Sequence, residues 1–553
     1  MQEFSVLIGG KAGFGIDTSS LILARILNQL GWYIYIYRDY PSLIRGGHTF
    51  SIIRAADKKI STHRNQIDLL LALDQNTLDF HKARLSNGAA LIYDSDSVKS
   101  SSGLGIAFTK IIKQENAPEI MRNSCMVGAF CKACGISEEA LVNILKQNID
   151  KEIDLNLKIA LRGFQQANLI SRIKTFDAAP LPILSGNEAI GLGLASAGLN
   201  SYIAYPMTPS SGILHYLANL SAEFGLKVVH PENEIAVMLM ALGAASAGEK
   251  VAVGTSGGGF CLMTEGLSFS GMAELPLVVV LGQRTGPSTG LPTYTGQTEL
   301  NFAIWAGHGE FSRLVVAPAD AEQAFYWSAV ALNLAIKFQI PAIILSDKTV
   351  AEGAYSFDLD SVNLPPEEQF PAWDKKDAYK RYLDSANGVS PLAFFGDKDA
   401  IVKINSYEHD EYGITTEDPQ VTKKMQAKRL RKEKYLSEEL RKYKVVNTAG
   451  SLDSSVAVVC WGSNAGVCAE AARNLGIRFI QPVVLWPFPL EQIKRATEGV
   501  KKIICVENNS RGQLAGLLSG AGIRISEQIL RSDGRPFVLD ELQRELNVRI
   551  NGE

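Results

Sequence analysis

Cysteine is scarce in this sequence, seven in 553 residues, and the scarcity excludes a disulfide scaffold. Cys131-Lys132-Ala133-Cys134 is the only paired spacing, and no second pair stands at zinc or iron–sulfur distance from it. Cys125, Cys261, Cys460, Cys468 and Cys505 are scattered singly among apolar residues and read as small buried hydrophobes, so no metal site is expected. A charge excess is also missing. The net charge of −3 gives no field for nucleic acid or an anionic membrane surface. No apolar run approaches the roughly 18 residues of a membrane span. Met1-Gln2-Glu3-Phe4 leads directly into Ser5-Val6-Leu7-Ile8, with no basic region ahead of a long apolar stretch, so no signal peptide is read. The expectation is a cytoplasmic protein with neither nucleic-acid nor membrane partners. Its 46% hydrophobic and 20% charged residues are ordinary for globular cores, and its length points to several domains.

What is present is organised around Tyr205-Pro206-Met207-Thr208-Pro209-Ser210-Ser211. Two prolines fix φ and remove two backbone donors, which excludes helix interior and central strand. The stretch follows the apolar Tyr202-Ile203-Ala204 and precedes a helical pattern, Ile213, Leu214, Leu217 and Leu220. It reads as a strand-to-helix turn that holds the Thr208 hydroxyl, with Ser210 or Ser211 as the helix cap. By itself this is a stiff loop. The next strands end in marked residues too. Lys227-Val228-Val229 leads to Glu232-Asn233-Glu234, with Asn233 as a cap and both acids at a helix entry that favours carboxylates. Residues 250–254 lead to Thr255-Ser256-Gly257-Gly258-Gly259, and residues 277–281 lead to Gln283-Arg284. In a parallel sheet these ends share one edge, where open α/β folds place ligands. Four marked ends on one edge make an active site. The loop of residues 285–297 that follows is too long for a plain connector.

On either side of this central unit, residues 1–175 read as another α/β domain. Near-continuous apolar strands point to a parallel sheet buried on both faces. After the strand 4–8, the turn from Gly9 to Gly15 lets an anion approach backbone amides, with Gly10, Lys11 and Gly13 as candidates and Arg45 beside Gly46-Gly47 as a second cation. A tight turn that simply needs small residues fits the same letters, and the spacing is not the dinucleotide fingerprint. Residues 155–182 read as a connecting segment. The central domain spans 183–355, and 356–453 read as a charged, proline-bearing linker that wraps the other domains and carries a helix over 426–443. Residues 454–553 form a last α/β domain.

The central unit resembles the α subunit of 2-oxoacid:ferredoxin oxidoreductases. The residues that carry this are the 205–211 turn, Glu232-Asn233-Glu234-Ile235-Ala236, Thr255-Ser256-Gly257, and Gln283-Arg284 with 286–293. The first domain resembles the γ subunit fused in front. Residues 407–413, Val506-Glu507 and Gly512-Gln513-Leu514 are similar to the same family. The resemblance implies three doubly wound parallel-sheet domains, the central one a thiamin-diphosphate fold of the pyrimidine-binding type, the last like the transketolase C-terminal domain. It implies that Tyr205, Pro206, Glu234, Thr255, Ser256 and Gly257 bind the cofactor. Glu234, or failing it Glu232, activates the pyrimidine ring, and Thr208 and Arg284 hold the substrate. Many relatives carry an arginine near Tyr294, where it could read a second carboxylate, and the tyrosine here leaves selection of 2-oxoglutarate open. It associates the first domain with coenzyme A. No Gly-Asp-Gly followed by an asparagine pair is present, so Mg²⁺, the diphosphate and a 4Fe–4S cluster are expected on a β subunit that passes electrons to ferredoxin. A dimer of heterodimers is implied. The alternatives are an indolepyruvate-type or other thiamin-dependent subunit, or a structural subunit without chemistry.

Overall fold

The computed structural model describes residues 1–42 and 47–551, so Arg45 and Gly46 lie outside the described residues. The chain forms two compact units. The first comprises Met1–Leu184 with Gly353–Asp358 and Val538–Arg544, and the second comprises the remainder.

The first unit is built on a sheet of β1 (Glu3–Lys11), β2 (Tyr33–Asp39), β3 (His48–Ala56), β4 (Ile67–Ala72), β5 (Leu85–Asp94), β6 (Leu104–Ile106), β7 (Ile183–Ser185) and β14 (Ala354–Ser356). Their order is β6-β5-β4-β1-β3-β2-β14-β7. Pairing is parallel between β1 and β4, β4 and β5, and β5 and β6, as the apolar runs predict. It departs from that reading over β1-β3-β2, which pair antiparallel. Residues 40–47, between β2 and β3, are too few for the crossover a parallel pair requires. Val6, Leu7 and Ile8 are fully buried, as expected of a strand covered on both faces.

Residues 155–182 are not simply a connecting segment, because the helix Ile153–Gln166 occupies their first part. Its buried residues, Asn156, Ile159, Ala160 and Gly163, recur at i, i+3, i+4 and i+7. Two of the four are not hydrophobic, which hid the stripe. This helix packs on Arg122–Ala133, where a Cβ on Gly163 would overlap the Cys125 carbonyl. Cys131 and Cys134 lie inside this packing, and burial pushes both thiols up. They are structural, as read. Cys261 is the exception to the buried-thiol expectation, being exposed.

The second unit carries two sheets. The larger contains β8 (Ser201–Ala204), β9 (Lys227–Val229), β10 (Val251–Ser256), β11 (Leu277–Gln283), β12 (Leu314–Val316), β13 (Pro341–Asp347) and β18 (Val484–Trp486). Their order is β18-β12-β13-β11-β10-β8-β9. The smaller contains β15 (Val446–Gly450), β16 (Val456–Cys460), β17 (Arg478–Pro482), β19 (Lys502–Glu507) and β20 (Glu527–Leu530), in the order β15-β17-β16-β19-β20. The periodicity reading missed β17, whose apolar pair is flanked by Arg478, Gln481 and Pro482. It also missed the charge-rich helix Leu539–Asn551. Among the described residues no helix is long and apolar enough to cross a membrane.

Residues 359–418 have little regular structure, and the charged helix begins earlier than read, at Pro419, and ends at Leu440. Asp418 caps it by accepting from the Gln420 and Val421 amides, and Pro419 occupies the first turn, where its missing N–H costs nothing. The segment is anchored by buried charge. Lys428 Nζ donates to both Glu274 oxygens at 2.6 and 2.7 Å, and Lys432 contacts the same carboxylate. Arg381 donates to the carbonyls of Ala273 and Glu274. Burial opposes the Glu274 charge, but Lys428, Lys432 and Arg381 outweigh it and hold the carboxyl well below the usual range.

Breaking such a cluster from one side strands buried ammonium groups. Glu274→Ala is expected to cost about 3–5 kcal/mol, read from the thermal midpoint, while a Glu274→Ala, Lys428→Met, Lys432→Met triple variant recovers most of the loss. A single-variant loss below about 0.5 kcal/mol, the size of an ordinary surface effect, would contradict the anchoring role.

Candidate functional site

β11, β10, β8 and β9 stand side by side in that order, and each adjacent pair is parallel. The four marked strand ends therefore do share one edge. After β8 the chain turns through 205–211 into the helix Ser211–Phe224. Neither serine caps it as read. Ser210 already has helical backbone angles (φ −80°, ψ −12°), and from there its hydroxyl donates back to the Met207 carbonyl at 2.9 Å. A capping serine needs an extended backbone to reach the first-turn amides. The turn is fixed instead from outside. Asn187 Nδ2 donates to the Pro209 carbonyl at 2.8 Å, and Arg284 Nη1 donates to the Thr208 carbonyl at 3.0 Å. Tyr205 is exposed, its ring 5.8 Å from that of His230.

After β9, Asn233 accepts from the Ala236 amide at 2.9 Å and starts the helix Glu234–Ser246, as expected. Glu234 is 4% exposed, and its Oε1 is buried with no hydrogen-bond partner. Glu232, two residues earlier, is exposed. β10 ends in the fully buried Thr255 and Ser256, and the Ser256 hydroxyl also has no partner. Gly257–Ala273 is the next helix. A Cβ on Gly259 would overlap both Thr255 Oγ1 and Glu234 Oε1. Glycine is required here for close approach, and the helix start presses against the Glu234 carboxyl.

β11 ends at Gln283, and half-buried Arg284 begins the long loop. The loop folds on itself, with the Leu291 amide donating to the Thr285 carbonyl at 2.9 Å. The C-terminal domain holds it. Gln297 donates through Nε2 to the Trp461 carbonyl at 2.8 Å, and its Oε1 accepts from Asn464 Nδ2 and the Asn508 amide. Asn509 Nδ2 reaches the Gln297 carbonyl at 3.1 Å. Glu507, fully buried, accepts from the Leu514 and Ala515 amides and caps the helix Gln513–Gly520. The Glu507-Asn508-Asn509 run therefore organises the loop. Arg535 stacks on Tyr294, its Cζ 3.7 Å from the ring centroid.

Sequence reasoning passed over Glu299, Gln297 and Arg535. Glu299 carried a usable signal, as the one carboxylate between Arg284 and Leu300. Its Oε1 accepts from Thr298 Oγ1 at 2.7 Å, its amide donates to Gln283 Oε1 at 3.1 Å, and its Oε2 is buried without a partner. A Cβ on Gly257 would stand 2.8 Å from Glu299 Oε1. Burial pushes this carboxyl up to about 7, against the pull of the Thr298 hydroxyl and the Arg284 charge.

The other predicted residues belong to the first unit. Gly10 and Lys11 end β1, and Gly13 (φ 91°) and Gly15 (φ 69°) make the turn into the helix Ile16–Gln29 in a conformation that favours glycine. Lys11 is exposed.

Comparisons with known proteins cover the whole chain. Residues 193–428 match the family model described as pyruvate flavodoxin/ferredoxin oxidoreductase, thiamine diP-bdg. Residues 5–166 match pyruvate ferredoxin/flavodoxin oxidoreductase, and 454–535 match pyruvate:ferredoxin oxidoreductase core domain II. The 2-oxoacid:ferredoxin oxidoreductase subunit alpha of Saccharolobus solfataricus is 31% identical over 98% of this chain and 97% of its own. The 2-oxoglutarate synthase subunit KorA of Methanothermobacter marburgensis is 31% identical over 59% of this chain and 87% of its own. Among solved structures, the 2-oxoglutarate:ferredoxin oxidoreductase of Magnetococcus marinus, with 2-oxoglutarate, coenzyme A and succinyl-CoA bound, superposes with a TM-score of 0.90. It is 28% identical, and both chains are covered completely.

The glycine run gives a paired test of the geometry. Gly259→Ala is expected to destabilise by about 1–3 kcal/mol, as an overpacked core position does. Gly258→Ala, with nothing within 4 Å of its Cβ position, is expected to be neutral or mildly stabilising by up to about 1 kcal/mol. Equal thermal midpoints for the two variants would contradict the close approach at Gly259.

Proposed function

The chain belongs to the family of 2-oxoacid:ferredoxin oxidoreductase alpha subunits, and on that premise we propose that the shared edge of β8, β9, β10 and β11 is its half of the 2-oxoacid site. The observation that carries the assignment is Glu234 Oε1, an acceptor buried without a partner against the first turn of the glycine helix. Such an atom is costly unless a ligand completes it.

The residues present fit the aminopyrimidine side of thiamin diphosphate. Glu234 would hold a ring nitrogen, and Thr255, Ser256, Gly257, Tyr205 and Pro206 would complete the residues that hold the cofactor. Bound there, the cofactor supplies the electron sink that lets a 2-oxoacid lose carbon dioxide. Glu234 Oε1, buried without a partner, is the atom at which one proton would be exchanged with a ring nitrogen. Exposed Glu232 has no such enclosure. Arg284 offers a guanidinium fork to the substrate carboxylate, the geometry a planar carboxylate accepts best. Thr208, whose carbonyl Arg284 grips, would offer its hydroxyl to the substrate from the same turn. The loop over 285–297, with Tyr294 under Arg535, lines the space for the rest of the acid.

The remaining assignments follow the family. Residues 1–175 form the γ-like domain, where Gly10, Lys11, Gly13 and Arg45 are the candidates to meet coenzyme A. Residues 183–355 form the pyrimidine-binding domain, 356–453 the wrapping segment and 454–553 the transketolase-C-like domain. The acceptor side requires a β subunit with Mg²⁺, the diphosphate and a 4Fe–4S cluster, passing electrons to ferredoxin in a cytoplasmic dimer of heterodimers. An apolar surface supports such a partner. Ile235 (49% exposed), Leu239 (55%) and Leu262 (50%) stand on the two helices that begin at Glu234 and Gly257. Apolar patches of this kind mark protein interfaces.

The test is kinetic, on the complex assembled with its partner, using a 2-oxoacid, coenzyme A and viologen. Glu234→Gln is expected to lower kcat by about 10²–10⁴-fold, the usual loss of a positioned acid or base. Arg284→Ala is expected to raise KM by roughly 10–100-fold, the loss of charged hydrogen bonds. If Glu232→Gln abolishes turnover and Glu234→Gln does not, the assignment is two residues off.

A further inference from the structure

The loop over residues 285–297 folds back on its own foot. The Thr285 amide donates to the Tyr294 carbonyl at 3.4 Å, and Thr285 Oγ1 donates to the Thr295 carbonyl at 2.7 Å. Tyr294 therefore stands beside the residue that follows Arg284. Thr293, just before it, is 6% exposed, and its hydroxyl has no hydrogen-bond partner.

The segment after β20 is built onto this foot. Gly534, in the left-handed region at φ 80°, brings its backbone against the loop, and its carbonyl accepts from the Thr295 amide at 3.1 Å. A Cβ at Gly534 would stand 3.1 Å from Tyr294 Cβ and 3.2 Å from Thr285 Oγ1. Arg535 is then fixed on both sides of its Cα. Its amide donates to Asp533 Oδ1 at 2.9 Å, and its carbonyl accepts from Asn508 Nδ2 at 2.8 Å. Its guanidinium lies over the Tyr294 ring, with Cζ 3.7 Å from the centroid. An edge-on guanidinium at that distance would drive a nitrogen into the ring, so the contact is face to face. The N–H donors of a guanidinium lie in its plane, and a contact through the face does not consume them. A fork held flat in this way loses little freedom when it takes a planar anion.

Two guanidinium groups thus serve one loop, Arg284 at its start and Arg535 on Tyr294. Arg284 is assigned the carboxylate beside the reacting carbonyl. A monocarboxylic 2-oxoacid would set a hydrocarbon tail against the second cation. A dicarboxylic one brings a second planar carboxylate, which such a fork binds bidentately. We propose that Arg535, held on Tyr294, is a specificity-determining residue that takes the distal carboxylate of a dicarboxylic 2-oxoacid. The inference rests on the proposed roles of Arg284 and of the loop.

The experiment compares 2-oxoglutarate with 2-oxopentanoate, which has the same carbon chain and a methyl group in place of the distal carboxylate. Both are assayed on the complex assembled with its partner, at saturating coenzyme A. The wild type is expected to favour 2-oxoglutarate by at least about tenfold in kcat/KM. Arg535→Gln should bring that ratio close to one by raising KM for 2-oxoglutarate roughly 10–100-fold, the loss of charged hydrogen bonds. Arg535→Lys, which keeps the charge without the planar fork, should recover part of the ratio. Tyr294→Leu, which removes the ring beneath the guanidinium, should lower it, and is the test if the Arg535 variants do not fold. A merely structural role would damage both acids alike and leave the ratio standing. A wild type without preference for the diacid, or a ratio unmoved in Arg535→Gln or Tyr294→Leu, would overturn the proposal. So would a rise in KM for coenzyme A in Arg535→Gln with the ratio intact. A folded complex that turns over no 2-oxoacid would instead overturn the functional reading on which it rests.

Discussion

The close contact between the first turn of the glycine helix and two carboxyl groups is the constraint on which the site depends. Gly257 and Gly259 leave no room for a Cβ beside Glu299 and Glu234. The parallel register of β8, β10 and β11 sets where that turn stands. The same crowding leaves one oxygen of each carboxyl buried without a hydrogen-bond partner, a costly arrangement in a protein interior. Arg284 then links two strand ends, since it leaves β11 and holds the backbone of the turn after β8. The Arg284 side chain and the Thr208 backbone are thereby fixed relative to each other by a direct hydrogen bond rather than by loop stiffness alone.

Elements far from the edge in sequence keep this arrangement in place. Gln297, fastened to Trp461, Asn464 and Asn508, gives a loop of many small residues a fixed course. Glu507 secures that fastening by capping the helix that follows it. The Glu274 cluster does the same at the far end of the glycine helix, where two lysines of the wrapping segment meet one buried carboxylate. Fixing both ends of one helix makes its first turn a rigid wall of the site.

The sequence made the strand ends legible because each carried chemistry that plain turns do not need: two prolines around a threonine, an acid after a cap, a glycine run, an arginine. Their shared edge followed from parallel pairing, and the sheet order bears that out. The serine cap at 210–211 failed because a local pattern does not reveal that Ser210 is already helical. The helix Ile153–Gln166 was missed because a buried asparagine and glycine interrupt its apolar stripe. Antiparallel pairing in the first sheet was set by a short connection, which composition does not show. Glu299 escaped notice because its significance comes from burial against Gly257, and only folding brings the two together.

The central claim is that this chain supplies one half of a thiamin diphosphate site and another subunit supplies the rest. Calorimetric titration of thiamin diphosphate with Mg²⁺ tests it most directly, comparing the isolated chain with the complex assembled with its partner. The account predicts stoichiometric binding to the complex and affinity at least about 100-fold weaker for the chain alone, since the diphosphate contacts and their charge-assisted hydrogen bonds are absent. Tight, stoichiometric binding to the isolated chain would contradict it.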